Sequence, residues 1–159
     1  MIDKSKQYKL INSQVRAIIS EESDMIANMA NIAAVLYNHL ENVNWSGFYL
    51  YKESQLVLGP FQGQPACIRI PMGKGACGTS AELQKTLLID DVHQFDGHIT
   101  CDVASRSEIV VPIVVRGRLI GVLDVDSPIA NRFDQNDKQG LEELVDIFSK
   151  RLSLDEVLK

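Results

Sequence analysis

The sequence has no excess of positive charge, since 16 Lys and Arg are outnumbered by 21 Asp and Glu. Nucleic acids and anionic membranes bind clustered Lys and Arg, so we expect neither as a main partner. The chain also has no apolar run near the ~20 residues that span a bilayer. Residues 1–6 are not followed by the apolar segment of a secretory signal. We therefore expect a cytoplasmic protein.

Cysteine is scarce as well: the chain has three, Cys67, Cys77 and Cys101. An odd number fits permanent pairing poorly, and a reducing compartment disfavours structural disulfides. No C-x-x-C pair occurs, and His93 and His98 have ligand-like spacing only within an irregular stretch, so we predict no metal site. A reactive thiol with one or more resolving thiols is the better use of these residues.

What the chain does contain is the pattern of one α+β domain over residues 1–159. Apolar residues every three or four positions predict helices at both ends. Aromatic and β-branched runs between them predict about six strands joined by hairpins, and therefore an antiparallel sheet with the terminal helices packed on one side. The predicted helices cover residues 4–20, 23–40, 79–85 and 134–152, and the predicted strands cover 43–52, 55–61, 66–71, 86–90, 108–115 and 119–126.

Two of the predicted helix starts rest on capping residues. Ser23 is the expected N-cap of the second helix, and Asp134 or Asn136 is the expected N-cap of the last one. The stretch 91–105 shows neither helical nor strand periodicity. We expect a long loop there, with one helical turn near Cys101, and long ordered loops in compact domains are often functional.

Acidic residues gather on two of the predicted strands. Asp124 and Asp126 occupy alternate positions and therefore share one face. Glu108 would face the same side from the neighbouring strand. Three converging acids would suit a ligand with an ammonium group, or would supply a proton if crowding raises one pKa. Trp45 or Tyr49 would form an apolar wall, although solvated strand acids are the simpler alternative.

The cysteines differ in their predicted surroundings. Cys77 precedes the predicted short helix, where the helix dipole would favour the thiolate. Cys67 lies on the strand face opposite Ile68 and Ile70, and Cys101 lies in the long loop. A buried, inert thiol is an equal alternative for each cysteine taken alone.

Five segments together resemble the free methionine-(R)-sulfoxide reductases, which are single-domain GAF proteins. They are NWSGFYL (44–50), GPFQG (59–63), GKGACG (73–78), SEIVVP (107–112) and GVLDVDS (121–127). The resemblance covers nearly the whole chain. It implies a GAF fold, and it implies reduction of free methionine-(R)-sulfoxide without a cofactor.

The same resemblance implies a sulfenic-acid mechanism. Cys101 matches the nucleophile, which would attack the sulfoxide sulfur and release methionine. Cys67 or Cys77 would then condense with the sulfenic acid to a disulfide, and thioredoxin would reduce that disulfide. The resemblance leaves open whether the chain forms a homodimer.

The resemblance also assigns roles to the aromatic and acidic residues. Trp45 and Tyr49 match the aromatic wall around the methyl sulfoxide. Glu108, Asp124 and Asp126 match the acids that hold the substrate amino group and help to protonate the sulfoxide oxygen. Buried acids of this kind would make the enzyme specific for the free amino acid, because a peptide-bound residue has no free ammonium group to pair with them.

GAF domains are more often sensory or regulatory than enzymatic, so a small-molecule-sensing module without catalytic activity is the main alternative. Residues 131–134, Asn-Arg-Phe-Asp, faintly resemble a signature of cyclic-nucleotide GAF domains. A turn followed by a helix cap explains them more simply. Acids in the pocket would moreover repel a phosphate. An inert interaction module is a further alternative, but it leaves the cysteines and acids unused.

Overall fold

The computed structural model describes residues 3–97 and 104–152 of the chain. Within them, the six strands form one antiparallel sheet in the order β3-β2-β1-β6-β5-β4. The predicted α+β arrangement is confirmed. The elements are α1 (Lys4–Ile19), α2 (Met25–His39), β1 (Trp45–Lys52), β2 (Gln55–Gly63), β3 (Arg69–Pro71), α3 (Gly75–Leu83), β4 (Leu87–Ile89), β5 (Ser107–Val115), β6 (Arg118–Ser127) and α4 (Gln135–Ser149), with a 3₁₀ turn at Val92–Gln94.

One face of the sheet carries the main core. Alternate residues of β1, β5 and β6 point toward α1, α2 and α4, as the period of two dictates for strands buried on this side. Phe48 packs at 5.7 Å between ring centroids against Phe148 of α4, and Leu123 and Val125 of β6 are fully buried in the same cluster. The predicted packing of the terminal helices on one side is therefore confirmed.

The terminal helices α1 and α4 are fastened to each other by a buried polar contact. The hydroxyl of Tyr8 donates to the Asp137 carboxylate at 2.7 Å, and Lys4 Nζ lies 2.6 Å from the same carboxylate. A buried charge is tolerated when it is paired and hydrogen-bonded in this way. Asp134 caps α4 in a capping box with Asp137, which confirms one of the two predicted caps.

The opposite face of the sheet carries a smaller cluster that includes Trp45, Tyr49 and Val122, with α3 packed over it. Helix α3 begins at Gly75, four residues before the predicted start, so Cys77 lies inside its first turn. The chain that leads into α3 runs from β2 through β3. This face contains the residues singled out by their chemistry.

Two local predictions are wrong for identifiable reasons. Asp24, not Ser23, caps α2, because its carboxylate accepts from Ala27 N at 2.8 Å. The strand predicted at 66–71 is reduced to β3, which pairs with only three residues of β2. The sequence predicts that Ile68 and Ile70 share one apolar face, but only Ile70 is buried, and Ile68 is 68% exposed.

Cys101, His98 and Asp102, together with the helical turn expected near Cys101, lie outside the described residues. Of the irregular stretch 91–105, the structure describes the 3₁₀ turn and its flanks. None of the helices in the described part of the chain is both long enough and apolar enough to cross a bilayer.

Candidate active site

Three neighbouring strands place an aromatic residue and two acids side by side. In the β1–β6 pairing Trp45 lies opposite Asp126, and in the β5–β6 pairing Glu108 lies opposite the same Asp126. Residues directly opposite each other in an antiparallel pair have neighbouring side chains on one face. The next row contains Gly47, Asp124 and Val110. The prediction that Glu108 faces the Asp124–Asp126 side is confirmed.

Two of these acids, Glu108 and Asp124, are withdrawn from solvent without an ion-pair partner among the described residues. Glu108 is 8% exposed and Asp124 is 5% exposed, and no Lys, Arg or His of the described residues forms an ion pair with either. Burial, followed by the charges of Asp126 and Glu108, raises the pKa of Asp124 well above its ordinary value of 3.8. The Asp124 carboxyl therefore releases its proton less readily than an exposed carboxyl does.

Cys77 belongs to the same buried group. Its Sγ lies 3.8 Å from Glu108 Oε2, and the residue is 4% exposed. Burial, followed by Asp124 and Glu108, raises the pKa of the Cys77 thiol well above 9.0. The expectation that the helix dipole would favour a thiolate here is therefore wrong, because the helix dipole is outweighed by desolvation and three nearby acids.

Cys67 is bonded in a disulfide, whereas Cys77 is a free cysteine. Cys67 lies between β2 and β3 and packs, partly buried, against the cluster that contains Trp45 and Tyr49. The hydroxyl of Tyr49 donates to the backbone carbonyl of Cys67 at 2.9 Å. This cysteine therefore lies at the edge of the acid-containing pocket.

Stacked rings form one wall of the site. Trp45 stacks on Phe61 at 5.2 Å between ring centroids and on Tyr49 at 6.0 Å. A Cβ at Gly47 would lie 2.7 Å from the Cα of Phe61, closer than packed atoms approach, so the missing side chain makes room for the stack. The indole N–H of Trp45 donates to the Gln64 carbonyl at 3.0 Å, which satisfies its polar atom as buried indoles require.

The rings, acids and α3 enclose a cavity of about 60 Å³, which is room for about four water molecules. Such a volume suits a small polar molecule. Lys74, the N-cap residue of α3, makes no side-chain cap, and the Gly75 N–H donates to the Gly97 carbonyl at 3.1 Å, so the first turn of α3 begins beside the cavity without a capping side chain. The lining residues are Trp45, Tyr49, Ala66, Ile70, Lys74, Gly75, Ala76, Cys77, Val92, Ser105, Glu108, Asp124 and Asp126.

Two buried polar atoms in this lining have no hydrogen-bond partner among the residues that the structure describes: Asp124 Oδ1 and Ser105 Oγ. Leaving a buried polar atom unpaired costs about 1–3 kcal/mol. Such atoms are expected where a ligand supplies the missing partner. They mark the acid end of the cavity as a place for a donor-rich group.

Cys77, Glu108 and Asp124 are also the grouping in the described residues with metal-like proximity, since one donor atom of each lies within 4.8 Å of the others. A thiol must lose its proton to ligate a metal. The raised pKa of Cys77 opposes that, and the trio supplies three ligands. This donor set is better suited to holding protons than a cation.

Of the residues selected from the sequence, six line one cavity: Trp45, Tyr49, Cys77, Glu108, Asp124 and Asp126. Cys67 lies at its edge, and Cys101 lies outside the described residues. Sequence reasoning missed Ser105, Lys74 and the uncapped start of α3. The GKGACG segment was the available signal for the last of these, because glycines before a helix often let its N-terminus approach a ligand.

Comparison with known proteins identifies the class first. The family model for the GAF domain matches residues 16–152, and the six-stranded sheet with α1, α2 and α4 on one face and α3 on the other is the fold expected of that class. The sequence is 47% identical to the free methionine-R-sulfoxide reductase of Escherichia coli, over 99% of this chain and 96% of that protein.

Solved structures agree. The substrate complex of fRMsr from Staphylococcus aureus superimposes with a TM-score of 0.88 at 51% identity, covering 92% of this chain and 95% of that one. The substrate complex of free methionine-R-sulfoxide reductase from Neisseria meningitidis superimposes with a TM-score of 0.92 at 44% identity, covering 95% of this chain and 91% of that one. The chain belongs to the free methionine-R-sulfoxide reductases, a family of oxidoreductases built on a GAF domain.

Proposed function

We propose that this protein reduces free L-methionine-(R)-sulfoxide to methionine, as a single GAF domain acting in the cytoplasm. The observation that carries the proposal is the cavity in which Glu108, Asp124 and Asp126 face Trp45 and Tyr49. It joins a proton-holding acid cluster to an apolar aromatic wall, and Cys67 lies at its edge. The relatives named for this activity are similar over nearly the full chain.

The acids explain why a free amino acid would be preferred. The α-ammonium group of the substrate would pair with Glu108 and Asp124, which form no ion pair with a Lys, Arg or His of the described residues. It would also supply donors to Asp124 Oδ1, which has no hydrogen-bond partner in the same part of the chain. Ammonium–carboxylate hydrogen bonds contribute about 1.5–3 kcal/mol. A peptide-bound methionine sulfoxide has no such group and would leave the acids unpaired.

The α-carboxylate of the substrate would bind at the N-terminus of α3. The first turn of this helix has no capping side chain, the partial positive charge there suits a carboxylate, and Lys74 lines the same cavity. The methyl sulfoxide would then lie against Trp45 and Tyr49. The two ends of a free amino acid are thus matched by acids on the sheet and by donors on the helix.

The first chemical step would join this pocket to Cys101. The Cys101 thiolate attacks the sulfoxide sulfur, which gains two electrons and leaves as methionine, and Cys101 keeps the oxygen as a sulfenic acid. The sulfoxide oxygen must gain a proton as its bond to sulfur breaks. The acid cluster of Glu108, Asp124 and Asp126 supplies it, because at least one of these carboxyls retains a proton.

We infer that Cys67, and not Cys77, is the resolving thiol. Cys67 is disulfide-bonded and Cys77 is free, and the raised pKa of Cys77 makes it a poor nucleophile. Cys67 attacks the sulfenic sulfur, the S–S bond forms, the S–O bond breaks and water leaves. Thioredoxin then returns both cysteines to thiols by exchange.

A coupled assay tests the proposal. Thioredoxin, thioredoxin reductase and the protein should oxidise NADPH when free methionine-(R)-sulfoxide is added, and Cys101→Ser should abolish this turnover. N-acetylmethionine sulfoxide, which lacks the ammonium group, should be a poor substrate for the reasons above.

A thiol count separates the enzyme from a sensing module. One addition of substrate without reductant should remove two thiols per chain and release methionine. Binding of the substrate without loss of thiols would identify a small-molecule sensor instead. Equal rates with free and N-acetylated substrate would overturn the assigned role of the acids.

A further inference from the structure

The segment that carries Cys67 is held at both ends by ring side chains of β1. Between the end of β2 at Gly63 and the start of β3 at Arg69, the Gln64 carbonyl accepts from Trp45 Nε1 at 3.0 Å. The Cys67 carbonyl accepts from the Tyr49 hydroxyl at 2.9 Å. The pocket wall and the resolving cysteine are therefore mechanically connected. We call residues 64–67 the Cys67 segment.

The Tyr49 hydroxyl is suited to a permanent positioning role. Burial, followed by the charges of Asp124 and the other nearby acids, raises its pKa above the ordinary value of 10.0, so it stays a donor at any pH where the protein works. Its single proton is used on the Cys67 carbonyl. The phenol oxygen can therefore accept a hydrogen bond from a substrate but cannot donate one to it.

We propose that Tyr49 is a positioning residue that, through its hydroxyl, holds the Cys67 backbone where its sulfur can attack the sulfenic acid. This inference rests on the proposed function and adds a second role to a residue that lines the substrate cavity. Disulfide formation requires close and specific placement of the two Cβ atoms. A resolving thiol on an irregular segment needs an anchor, and β1, a central strand of the sheet, provides it.

The test is a single-turnover experiment with Tyr49→Phe, which keeps the ring and removes only the anchoring hydroxyl. Reduced protein is mixed with free methionine-(R)-sulfoxide and quenched at intervals. Methionine release and thiol loss are measured separately, and the sulfenic acid is trapped with dimedone. One hydrogen bond is worth about 0.5–1.5 kcal/mol. At about 1.4 kcal/mol per tenfold, the ratio of the disulfide rate to the methionine-release rate should therefore fall about two- to twelvefold, with more dimedone adduct.

Tyr51→Phe is the matched control, because Tyr51 lies on the same strand and is 40% exposed. It should leave the ratio of rates at the wild-type value. Pro65→Gly is a second variant that loosens the Cys67 segment without touching the pocket wall, since Pro65 is exposed and its ring restricts the backbone. It should lower the same ratio, and it keeps the proposal testable if Tyr49→Phe folds poorly.

The possible results separate cleanly. An unchanged ratio in both Tyr49→Phe and Pro65→Gly overturns the positioning role. Slowing of both steps by the same factor in Tyr49→Phe also overturns it, because that result indicates a contact with substrate or a general loss of structure. Absence of methionine from the wild-type reaction would instead refute the proposed function itself, and the positioning role, which rests on it, would fall with it.

Discussion

The thiol of Cys77 lies 3.8 Å from the Glu108 carboxylate, inside the cavity and yet without a disulfide partner. Its position in the cavity would fit a catalytic role. Its surroundings, however, hold it in the protonated form, because burial and neighbouring acids both disfavour a thiolate. Cys77 is therefore close to the site, but its thiol is not in the reactive thiolate form.

Cys77→Ser should accordingly keep thioredoxin-dependent turnover. Ser preserves a short polar side chain beside Glu108, so the loss should stay within about tenfold, the effect of one hydrogen bond. The coupled NADPH assay provides the measurement. Cys67→Ser is the matched comparison, and it should release at most one methionine per chain and then stop. If Cys77→Ser stops after one turnover and Cys67→Ser does not, the resolving role belongs to Cys77.

That Asp124 and Asp126 share a face could be predicted from sequence, because it depends only on the strand period. Glu108 joins them for a less local reason. The β5–β6 register shifts by one residue between Ile113 and Val114, and without that shift the Arg116–Gly117 turn would place Glu108 opposite Val125. The pattern of residues predicted the sheet and its covering helices in the same way. The substrate came only from the family resemblance.

The remaining features depend on contacts that periodicity does not encode. The Tyr49–Cys67 hydrogen bond joins a strand to an irregular segment eighteen positions later. The pKa of the Cys77 thiol is raised by burial and then by acids that lie more than thirty positions away along the chain. Ile68 is exposed because β3 is short. Each outcome is decided by tertiary packing, which overrides the local propensity.

Gly140→Ala tests the attachment of α1 to α4. Helix propensity alone favours Ala over Gly by about 1 kcal/mol. A Cβ at position 140 would, however, lie within 2.6 Å of the Tyr8 ring, which is buried and tied to Asp137. Overpacking of this kind costs about 1–3 kcal/mol. The clash should win, and urea unfolding should show a net loss of stability.

Gln139→Ala is the control for this change, since Gln139 is the exposed neighbour on the same helix. It should keep or slightly raise the midpoint of unfolding. A Gly140→Ala protein more stable than wild type would show that the Tyr8 ring can move, and the tight α1–α4 contact would lose its significance.

Gly47→Ala tests the aromatic wall. The added methyl would collide with the Phe61 backbone and push it from its stack on Trp45. Because Trp45 is the one tryptophan of the chain, its fluorescence reports this displacement directly. We expect a shifted emission spectrum, a raised KM and a loss of about 1–3 kcal/mol in stability.

Lys52→Ala on the same strand serves as the comparison, because Lys52 is exposed at the far end of β1. Its emission and KM should match those of the wild type. A Gly47→Ala protein with unchanged emission and unchanged KM would mean that the stack is not part of the substrate wall.

Asp124→Asn separates stability from activity at the centre of the site. The carboxyl of Asp124 binds a proton more tightly in the folded chain than in the unfolded one, since burial and the neighbouring acids raise its pKa above 3.8. As the pH rises above 3.8, the unfolded chain releases this proton while the folded chain retains it. The free energy of unfolding therefore falls with rising pH, until the folded carboxyl also ionises. An asparagine amide at this position does not ionise, so it would not lower the free energy of unfolding as the pH rises.

Asp124→Asn should therefore be more stable than wild type at pH 8, by at least about 3 °C in Tm, since 1 kcal/mol corresponds to about 2–4 °C in a domain of this size. The difference should shrink toward pH 4. The kcat/KM for free methionine-(R)-sulfoxide should fall about ten- to a hundredfold, because the substrate loses a hydrogen-bond partner and the cluster loses a carboxyl that can hold the proton to be transferred. Asp146→Asn, at an exposed position on α4, should alter neither the pH dependence of Tm nor the activity. If Asp124→Asn is less stable than wild type at pH 8 and loses no activity, Asp124 supports the fold rather than the reaction.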